Sequence, residues 1–279
     1  MNNKNQILNK QAITAVIIAK NEEIMIGGCL KCLEWCQEIL VIDTGSTDQT
    51  VDLAEQAGAK VIHFQHPSFA KLRNEAIKHL TTEWFIYIDA DERVTPTLAK
   101  EIGVTIETKK VTAIQIRRTN IYFGIEFKHG GWQNDLVTRG FCKASKVVWQ
   151  GEIHESPQFE GQFELLKSPL LHFSHREVAA GLVKSAAWTP IEAKLLVDAA
   201  HPPVTLRTIL RKGLAEFLRR DMLQAGYKDG LAGSIEALIQ AINRMLVYIQ
   251  VWEKQQIPSS AEKYQKMEQD LVDLWKNES

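Results

Sequence analysis

The sequence has little of what would mark a disulfide-rich, membrane-spanning or nucleic-acid-binding protein. It contains only 4 cysteines in 279 residues, and no stretch of eighteen apolar residues, so we predict no segment that spans a bilayer. Thirty-three basic residues nearly balance thirty-four acidic ones, and the resulting net charge of -1 gives a nucleic-acid partner no electrostatic support. The remaining composition, 45% hydrophobic and 24% charged, is that of a globular protein.

The cysteines themselves favour a structural role. Cys29, Cys32 and Cys36 are predicted to share one helix, where apolar neighbours indicate a stripe that faces the core. Free cysteine packs as a small hydrophobic residue, which favours packing over a metal cluster. No signal-peptide pattern precedes these residues, so we expect a reducing, cytoplasmic setting. The inner face of the membrane is part of this expected location.

Short apolar runs alternate with amphipathic segments through the first half of the chain. This alternation is typical of βαβ units and predicts an α/β fold with a parallel sheet. The predicted strands cover residues 13–19, 39–42, 61–64, 84–89 and 112–117, with shorter strands at 137–141 and 147–149. Right-handed crossovers between the first strands would bring their carboxyl ends to one edge of the sheet.

The fourth predicted strand carries the most informative pattern. Its unbroken apolar run from Trp84 ends at Asp89 and Asp91, which are separated by one residue. Two carboxylates delivered to the edge where such sheets bind ligands suit a divalent cation that holds a diphosphate. The alternative is that Asp89 or Asp91 caps the helix that begins near Pro96. Asn21 and Asp43, at the ends of the first two strands, are expected at the same edge.

The character of the chain changes twice after this strand. We predict a polar leader over residues 1–11 and an α/β domain over 12–178, divided into a nucleotide half (12–95) and an acceptor half (96–178). A helical extension over 179–279 follows.

The order of the short motifs resembles a known family. They are Val16-Ile17-Ile18-Ala19-Lys20-Asn21-Glu22-Glu23, Ile42-Asp43-Thr44-Gly45-Ser46-Thr47-Asp48, Arg73-Asn74, Asp89-Ala90-Asp91-Glu92-Arg93, His129-Gly130-Gly131-Trp132, Ile153-His154-Glu155 and Leu170-Leu171-His172-Phe173. On these motifs the chain resembles family 2 glycosyltransferases with the GT-A fold, and more closely the bacterial branch of lipopolysaccharide core-biosynthesis glucosyltransferases. The resemblance implies a Rossmann-like mixed sheet flanked by helices, a nucleotide-sugar donor and a Mg²⁺ or Mn²⁺ cofactor.

The resemblance also implies roles at the donor side. Nucleoside and ribose contacts would come from Asn21, Glu22, Asp43, Ser46 and Asp89, and a diphosphate contact from Arg73. Asp91 would bind the metal, with Asp89 in its water shell and His172 as a further candidate ligand. Each assignment has a structural alternative: a turn-forming Asp43, a solvated Arg73 and a packed His172.

For an inverting transfer, the resemblance implies a general base on the acceptor hydroxyl. Asp135 is the first choice and Glu155 the second. Asn134 stands where many members have a first acid, and no processive-synthase motif is evident, so we expect the addition of a single sugar. The predicted donor is a UDP-sugar, and the predicted acceptor is a saccharide or lipid-linked saccharide of the cell envelope, because enzymes of the branch that the chain resembles act on lipid-linked saccharides.

The acceptor side is assigned to His129, Trp132, Arg139 and His154. Trp132 and the glycines before it suggest a wall for a sugar ring, or a turn with a core tryptophan. In the extension, Leu206 to Arg220 form a basic amphipathic helix, for which three roles stay open: contact with an anionic membrane, packing on the catalytic domain, or dimerisation.

Two other functions fit the same fold. A sugar nucleotidyltransferase would carry a Gly-rich basic loop after the first strand, and Lys20-Asn21-Glu22-Glu23 is not one. A non-catalytic nucleotide- or sugar-binding module is compatible with Asn134. Asp89, Asp91 and a candidate base favour the enzyme.

Overall fold

The structure, a computed structural model, describes residues 10–108, 110–151, 155–174 and 176–278. The chain forms two compact units. The first contains the residues up to Glu126 together with Trp132–Ser174, and the second contains Phe127–Gly131 and the chain from residue 175 onward.

The first unit alternates strands and helices. Its strands are β1 Gln11–Ala19, β2 Cys36–Asp43, β3 Lys60–His63, β4 Trp84–Tyr87, β5 Glu92–Arg93, β6 Ala113–Tyr122, β7 Ile125–Glu126, β8 Leu136–Cys142, β9 Val148–Gln150, β10 Ser156–Gln158, β11 Phe163–Leu165 and β12 Leu170–His172. Its helices are α1 Glu23–Lys31, α2 Thr50–Gln56, α3 Phe69–Ile77 and α4 Pro96–Thr108.

One sheet organises this unit, in the strand order β3-β2-β1-β4-β8-β6-β12-β5. The first four strands of this order are parallel, whereas β8 is antiparallel to both β4 and β6. The predicted fold class, a mixed sheet flanked by helices and followed by a helical region, is confirmed. Because β1, β2 and β4 run in the same direction, the loops that follow them share one edge.

The central strands are buried on both faces, as their unbroken apolar runs predict. Ile17 on β1 and Ile86 on β4 pack with Ile26 of α1 and Leu98 of α4 on one face of the sheet. Val16, Phe85 and Tyr87 point to the other face, where Leu72 of α3 covers them. The alternation of side chains along a strand therefore feeds two separate cores.

Two local predictions were wrong. Cys29 lies in α1, but Cys32 follows that helix and Cys36 begins β2. Residues 32–35 form a turn in which Trp35 Nε1 donates to the Cys32 carbonyl at 3.0 Å, so buried positions continued at helical spacing after the helix had ended. Cys29 and Cys36 are nevertheless core residues, and burial raises the pKa of both thiols.

The capping alternative for the two aspartates was also wrong. Thr95 Oγ1 accepts a hydrogen bond from the Leu98 amide at 3.2 Å at the start of α4. Asp89 and Asp91 lie in the loop between β4 and β5, at the edge of the sheet.

The second unit is helical. Its helices are α5 Val178–Asp198, α6 Leu206–Phe217, α7 Gly230–Lys254 and α8 Ser260–Glu278, with a π-helical segment Leu218–Leu223 after α6. Ala193, Val204, Val247, Tyr248 and Val251 form its small apolar core. Among the residues described here, no helix has both the length and the apolar character needed to cross a bilayer.

Candidate functional site

The loops after β1 and β2 are bound to each other. The Asn21 side-chain oxygen accepts a hydrogen bond from the Thr47 amide at 2.8 Å, and Ser46 Oγ accepts one from the Asn21 amide at 3.0 Å. Asn21 adopts a left-handed conformation with φ 55°, which asparagine tolerates better than most residues. The Glu22 amide donates to Thr50 Oγ1 at 2.7 Å. Asn21 and Ser46 therefore shape this edge by holding the two loops together.

Asp43 organises the second loop from a buried position. Its carboxylate accepts hydrogen bonds from the Gly45 amide at 3.2 Å and from the Ser46 amide at 3.0 Å. The carboxylate Oδ2 also lies 3.1 Å from His63 Nδ1. Burial opposes ionisation, but the hydrogen bonds from Ser46, His63 and Gly45 outweigh it and lower the pKa of Asp43. The carboxylate is thus held as an anion beneath the loop.

A cavity of about 520 Å³ opens beside these loops. Lys20, Glu22 and Thr44 line one part of it, and Gln65, His66 and Phe69 line another. No sequence pattern singled out the last three, although Gln65 and His66 follow the third strand closely and Phe69 begins the next helix, α3. An aromatic ring, a polar amide and a carboxylate around one cavity provide stacking and hydrogen bonding for a flat, polar ligand.

Asp89 lies close to the positive charges of two arginines. Arg139 forms a close hydrogen bond with its Oδ2, and Arg73 Nη2 lies 3.7 Å from its Oδ1. Burial opposes ionisation, but the charges of Arg139 and Arg73 outweigh it and hold the pKa of Asp89 far below its usual range. Asp89 keeps 36% of its side chain exposed, so an ionised carboxylate faces the open edge of the sheet.

Arg139 is itself buried, and this differs from its predicted place on the acceptor side. Its Nη2 donates to Glu92 Oε1 at 2.5 Å as well as to Asp89. Glu92 is fully buried, and burial together with the Asp89 charge raises its pKa despite the opposing effect of Arg139. Arg139 therefore holds Asp89 from the buried side of the site, and its guanidinium contacts the carboxylates of Asp89 and Glu92.

Arg73 is positioned by aromatic rings. Its guanidinium lies 5.0 Å from the centroid of Tyr87 and 4.5 Å from that of Trp149. The same group approaches Glu155, with Nη2 3.4 Å from Oε1. Stacking and ion pairing fix the orientation of the guanidinium next to both Asp89 and Glu155.

Asp91 and His172 meet at the same edge. His172 Nε2 lies 3.5 Å from Asp91 Oδ2, and its Nδ1 lies 2.7 Å from Asn120 Oδ1. The Asn120 amide nitrogen donates to Asp135 Oδ2 at 3.1 Å and approaches the Trp132 carbonyl at 3.4 Å, so its oxygen must face His172. An amide oxygen only accepts, which places a proton on Nδ1, so in the neutral ring Nε2 carries the lone pair that is directed towards Asp91.

This pair suits a divalent cation. A carboxylate oxygen facing an unprotonated ring nitrogen is stabilised by a cation between them, and a hydrogen bond to the far nitrogen of the ring is the usual support of a metal-binding histidine. Within the described ranges, no group of three or more histidine, cysteine, aspartate or glutamate side chains is placed to hold a metal. Asp91 and His172 supply one oxygen and one nitrogen, and an ion bound between them would take its remaining ligands from phosphate oxygens and water.

Asp135, the first candidate base, is held by two residues. Arg118 donates to it through Nε at 2.8 Å and Nη2 at 3.0 Å, and Asn120 adds a further hydrogen bond. Arg118 Nη1 also reaches Glu92 at 3.4 Å. No sequence pattern singled out Arg118 and Asn120, because the predicted strand ended at residue 117 whereas β6 continues to Tyr122.

The site is therefore one connected network. Consecutive contacts join Asp89, Arg139, Glu92, Arg118, Asp135, Asn120, His172 and Asp91. It combines candidate donor, metal and catalytic residues that lie far apart in the sequence.

The remaining acceptor candidates occupy separate positions. Trp132, in the first unit, packs edge-on against Tyr122 with centroids 5.0 Å apart. His129 belongs to the second unit, where its Nδ1 lies 2.7 Å from Asp229 Oδ1. His154 lies outside the described residues.

Comparison with known proteins places this site in a family. Residues 14–164 match the model of glycosyl transferase family 2. The lipopolysaccharide core biosynthesis glycosyltransferase LpsC of Rhizobium meliloti is 24% identical over 259 residues, which cover 89% of this chain and 94% of that protein. An uncharacterized glycosyltransferase of Rickettsia felis is 25% identical over 253 residues, which cover 85% of this chain and 88% of that protein.

Solved structures show a more distant similarity. Glucosyl-3-phosphoglycerate synthase from Mycobacterium tuberculosis, in complex with Mn²⁺, uridine diphosphate and glucosyl-3-phosphoglycerate, is 20% identical with a TM-score of 0.35 over 39% of this chain and 44% of that one. The family match, by contrast, covers more than half of the sequence and includes Asp89, Asp91 and Asp135. The chain therefore belongs to glycosyl transferase family 2.

Proposed function

We propose that this glycosyltransferase moves a single sugar from a UDP-sugar to a saccharide of the bacterial cell envelope, such as the lipopolysaccharide core. The transfer would invert the configuration at the anomeric carbon. The envelope acceptor is supported by the similarity to the lipopolysaccharide core biosynthesis glycosyltransferase LpsC, which extends over 89% of this chain. The donor is supported by the cavity at the ends of β1 to β3, whose lining offers Phe69 for stacking and Glu22 for hydrogen bonding.

The observation that carries the proposal is the Asp91–His172 pair. We assign Asp91 Oδ2 and His172 Nε2, 3.5 Å apart, as the two protein ligands of Mg²⁺ or Mn²⁺. When bound, the cation would neutralise the charge that develops on the departing nucleoside diphosphate. Asp89, ionised and partly exposed beside this pair, is placed to accept hydrogen bonds from ribose hydroxyls or from water on the metal.

Arg73 is assigned to the diphosphate. Its guanidinium is oriented by Tyr87 and Trp149, so few rotamers must be fixed when an anion binds. Asn21 and Ser46 act indirectly, since their polar atoms join the loops after β1 and β2. We also propose Arg139 as a positioning residue for Asp89 in place of its predicted acceptor role.

For inversion, a base must take the proton of the acceptor hydroxyl on the face of the sugar opposite the leaving group. Asp135 remains the first candidate, because Arg118 and Asn120 fix its carboxylate within the network that contains the metal ligands. Glu155, beside Arg73, is the second. Trp132, in the first unit, is proposed to contact the acceptor.

One observation favours a second candidate, a non-catalytic nucleotide-binding module. Both oxygens of Asp135 already accept hydrogen bonds from Arg118 or Asn120, which leaves the carboxylate less available as a base. The two functions differ in one result: the module would bind nucleotide without transferring sugar.

The test combines calorimetry with a transfer assay. We would titrate the protein with UDP, GDP and their glucose or mannose conjugates, with Mn²⁺ or with a chelator. Two results together would support the proposal. UDP should bind only when the metal is present, and the sugar should be transferred to a truncated lipopolysaccharide. NMR of the product should show the anomeric configuration opposite to that of the donor. Binding without transfer to any acceptor would favour the module, and preference for GDP would replace the proposed donor.

A further inference from the structure

The final helix, α8, is exposed on all sides over most of its length. Every described side chain from Ala261 to Lys276 is exposed, including a set of large apolar residues: Tyr264 (69%), Met267 (67%), Leu271 (57%), Leu274 (60%) and Trp275 (69%). These positions recur every three or four residues and so lie on one face of the helix. A single helix of this length is marginal in water, which indicates that its apolar face is covered by something else.

A second exposed apolar face lies on α6 and its π-helical continuation. Leu206, Leu210, Leu214 and Leu218 follow one another at intervals of four and are 69%, 55%, 59% and 43% exposed. The other side of α6 packs against α7, and Gly213 approaches Met245 there. The leucine face therefore remains uncovered although the helix is already docked in its own unit.

The two faces differ in charge. Within Leu206–Phe217 the charged residues are Arg207, Arg211, Lys212 and Glu216, and both arginines are exposed next to the leucines. Within α8, five acidic residues outnumber three lysines, and Glu268 and Asp270 flank the apolar face. Opposite charges beside two apolar faces favour the pairing of α6 with α8 and oppose the pairing of α8 with itself.

We propose that the protein forms a symmetric dimer in which α8 of one copy packs on the leucine face of α6 of a second copy. A twofold axis would produce this contact twice, because each copy offers one α6 and one α8. An anionic membrane is a weaker occupant for α8, since the acidic excess of this helix would be repelled by the lipid headgroups. The proposal is independent of the donor, the metal and the acceptor.

The first test is the oligomeric state of the full chain, measured by light scattering and analytical ultracentrifugation over a range of concentrations. Leu214→Asp on α6 and Leu271→Asp on α8 should each raise the dimer dissociation constant about 30-fold or more, as expected for an apolar anchor at the centre of an interface. Both residues are exposed in one copy, so the fold should persist, and circular dichroism would verify it. Val104→Asp, on the exposed surface of α4, is the matched control and should leave the dimer unchanged.

Charge exchange gives the sharper test. Arg207→Glu with Arg211→Glu should weaken the dimer, and so should Glu268→Lys with Asp270→Lys. The chain that carries all four changes should dimerise again, because its faces are complementary once more. Recovery in the fourfold variant is specific to an α6–α8 contact.

Three results would overturn the proposal: a monomer at all concentrations, a dimer that α6 variants do not affect, or a dimer that the fourfold variant fails to restore. A dimer sensitive only to α8 variants would indicate self-pairing of α8. A monomer that sediments with anionic vesicles in proportion to the α6 arginines would instead assign the leucine face to the membrane.

Discussion

His172 turns its Nε2 towards the carboxylate of Asp91 at 3.5 Å, while its Nδ1 lies 2.7 Å from Asn120 Oδ1. The strand register creates this arrangement, because β12 pairs with β6 so that His172 lies beside Asn120, and with β5 so that it lies beside Glu92. The site thus combines residues from three strands, two of which, β6 and β12, come after residue 112 in the sequence.

Asp91→Ala should abolish metal-dependent binding of UDP. The substitution removes one of the two proposed protein ligands, so the titration heat of UDP with Mn²⁺ should fall to the level seen with a chelator. Asp52→Ala, in α2, serves as a control for the loss of a carboxylate elsewhere. Unchanged affinity in Asp91→Ala would contradict the metal assignment.

Asn120→Ala should weaken Mn²⁺ affinity by about 10- to 100-fold, the usual effect of losing a residue that orients a metal-binding histidine. Without the amide oxygen, His172 can place its proton on Nε2 and lose the lone pair that faces Asp91. Electron paramagnetic resonance of free Mn²⁺ would measure the affinity. A change smaller than twofold would mean that Asn120 does not orient His172 for metal binding.

Asp135→Asn and Glu155→Gln should separate the two candidate bases. Loss of the general base is expected to lower kcat by about 10²- to 10⁴-fold while the affinity for the nucleotide changes little. We expect this result for Asp135→Asn and a smaller effect for Glu155→Gln. The reverse order would exchange the two roles, and equal turnover in both variants would require another base.

Asp43→Asn should destabilise the protein at neutral pH and less so in acid. The folded-state pKa of Asp43 lies below its unfolded value, so the stability that the ionised carboxylate contributes is present above pH 4 and is lost as the pH falls through the folded-state pKa. We expect a difference in the free energy of unfolding of about 1–3 kcal/mol at pH 7. Urea unfolding at pH 7, 5 and 3 would measure it, and a difference that grows towards pH 3 would contradict the assigned sign.

Asp229→Ala should release the segment Phe127–Gly131 within the second unit. Asp229 Oδ2 accepts the amides of Lys128 at 3.0 Å and His129 at 2.8 Å, and Oδ1 binds the His129 ring. Hydrogen exchange of the Lys128 and His129 amides should accelerate by at least about tenfold, since each loses a carboxylate acceptor worth about 1.5 kcal/mol or more. Asp198→Ala is the control, and unchanged exchange would show that other contacts hold the segment.

Several features of the fold followed from local patterns. The run before Asp89 predicted a strand buried on both faces, and Phe85, Ile86 and Tyr87 are all buried in β4. The helix predicted to begin near Pro96 is α4, because Pro96 starts a helix readily and the apolar positions recur at helical spacing. The turn after Cys32 escaped prediction, since buried positions persisted at helical spacing beyond the last helical residue.

The sequence by itself determined the order of the first four strands and of the helices between them, the placement of Asp43, Asp89 and Asp91 at strand ends, and the family. These features depend on periodicity and on short motifs, which are properties of neighbouring residues. Only the tertiary structure decided that Asp91 faces His172, that Arg118 and Asn120 hold Asp135, and that Arg139 lies beneath Asp89. Such contacts depend on which strands become neighbours and in what register, and a local pattern does not encode the pairing of β6 with β8 and β12.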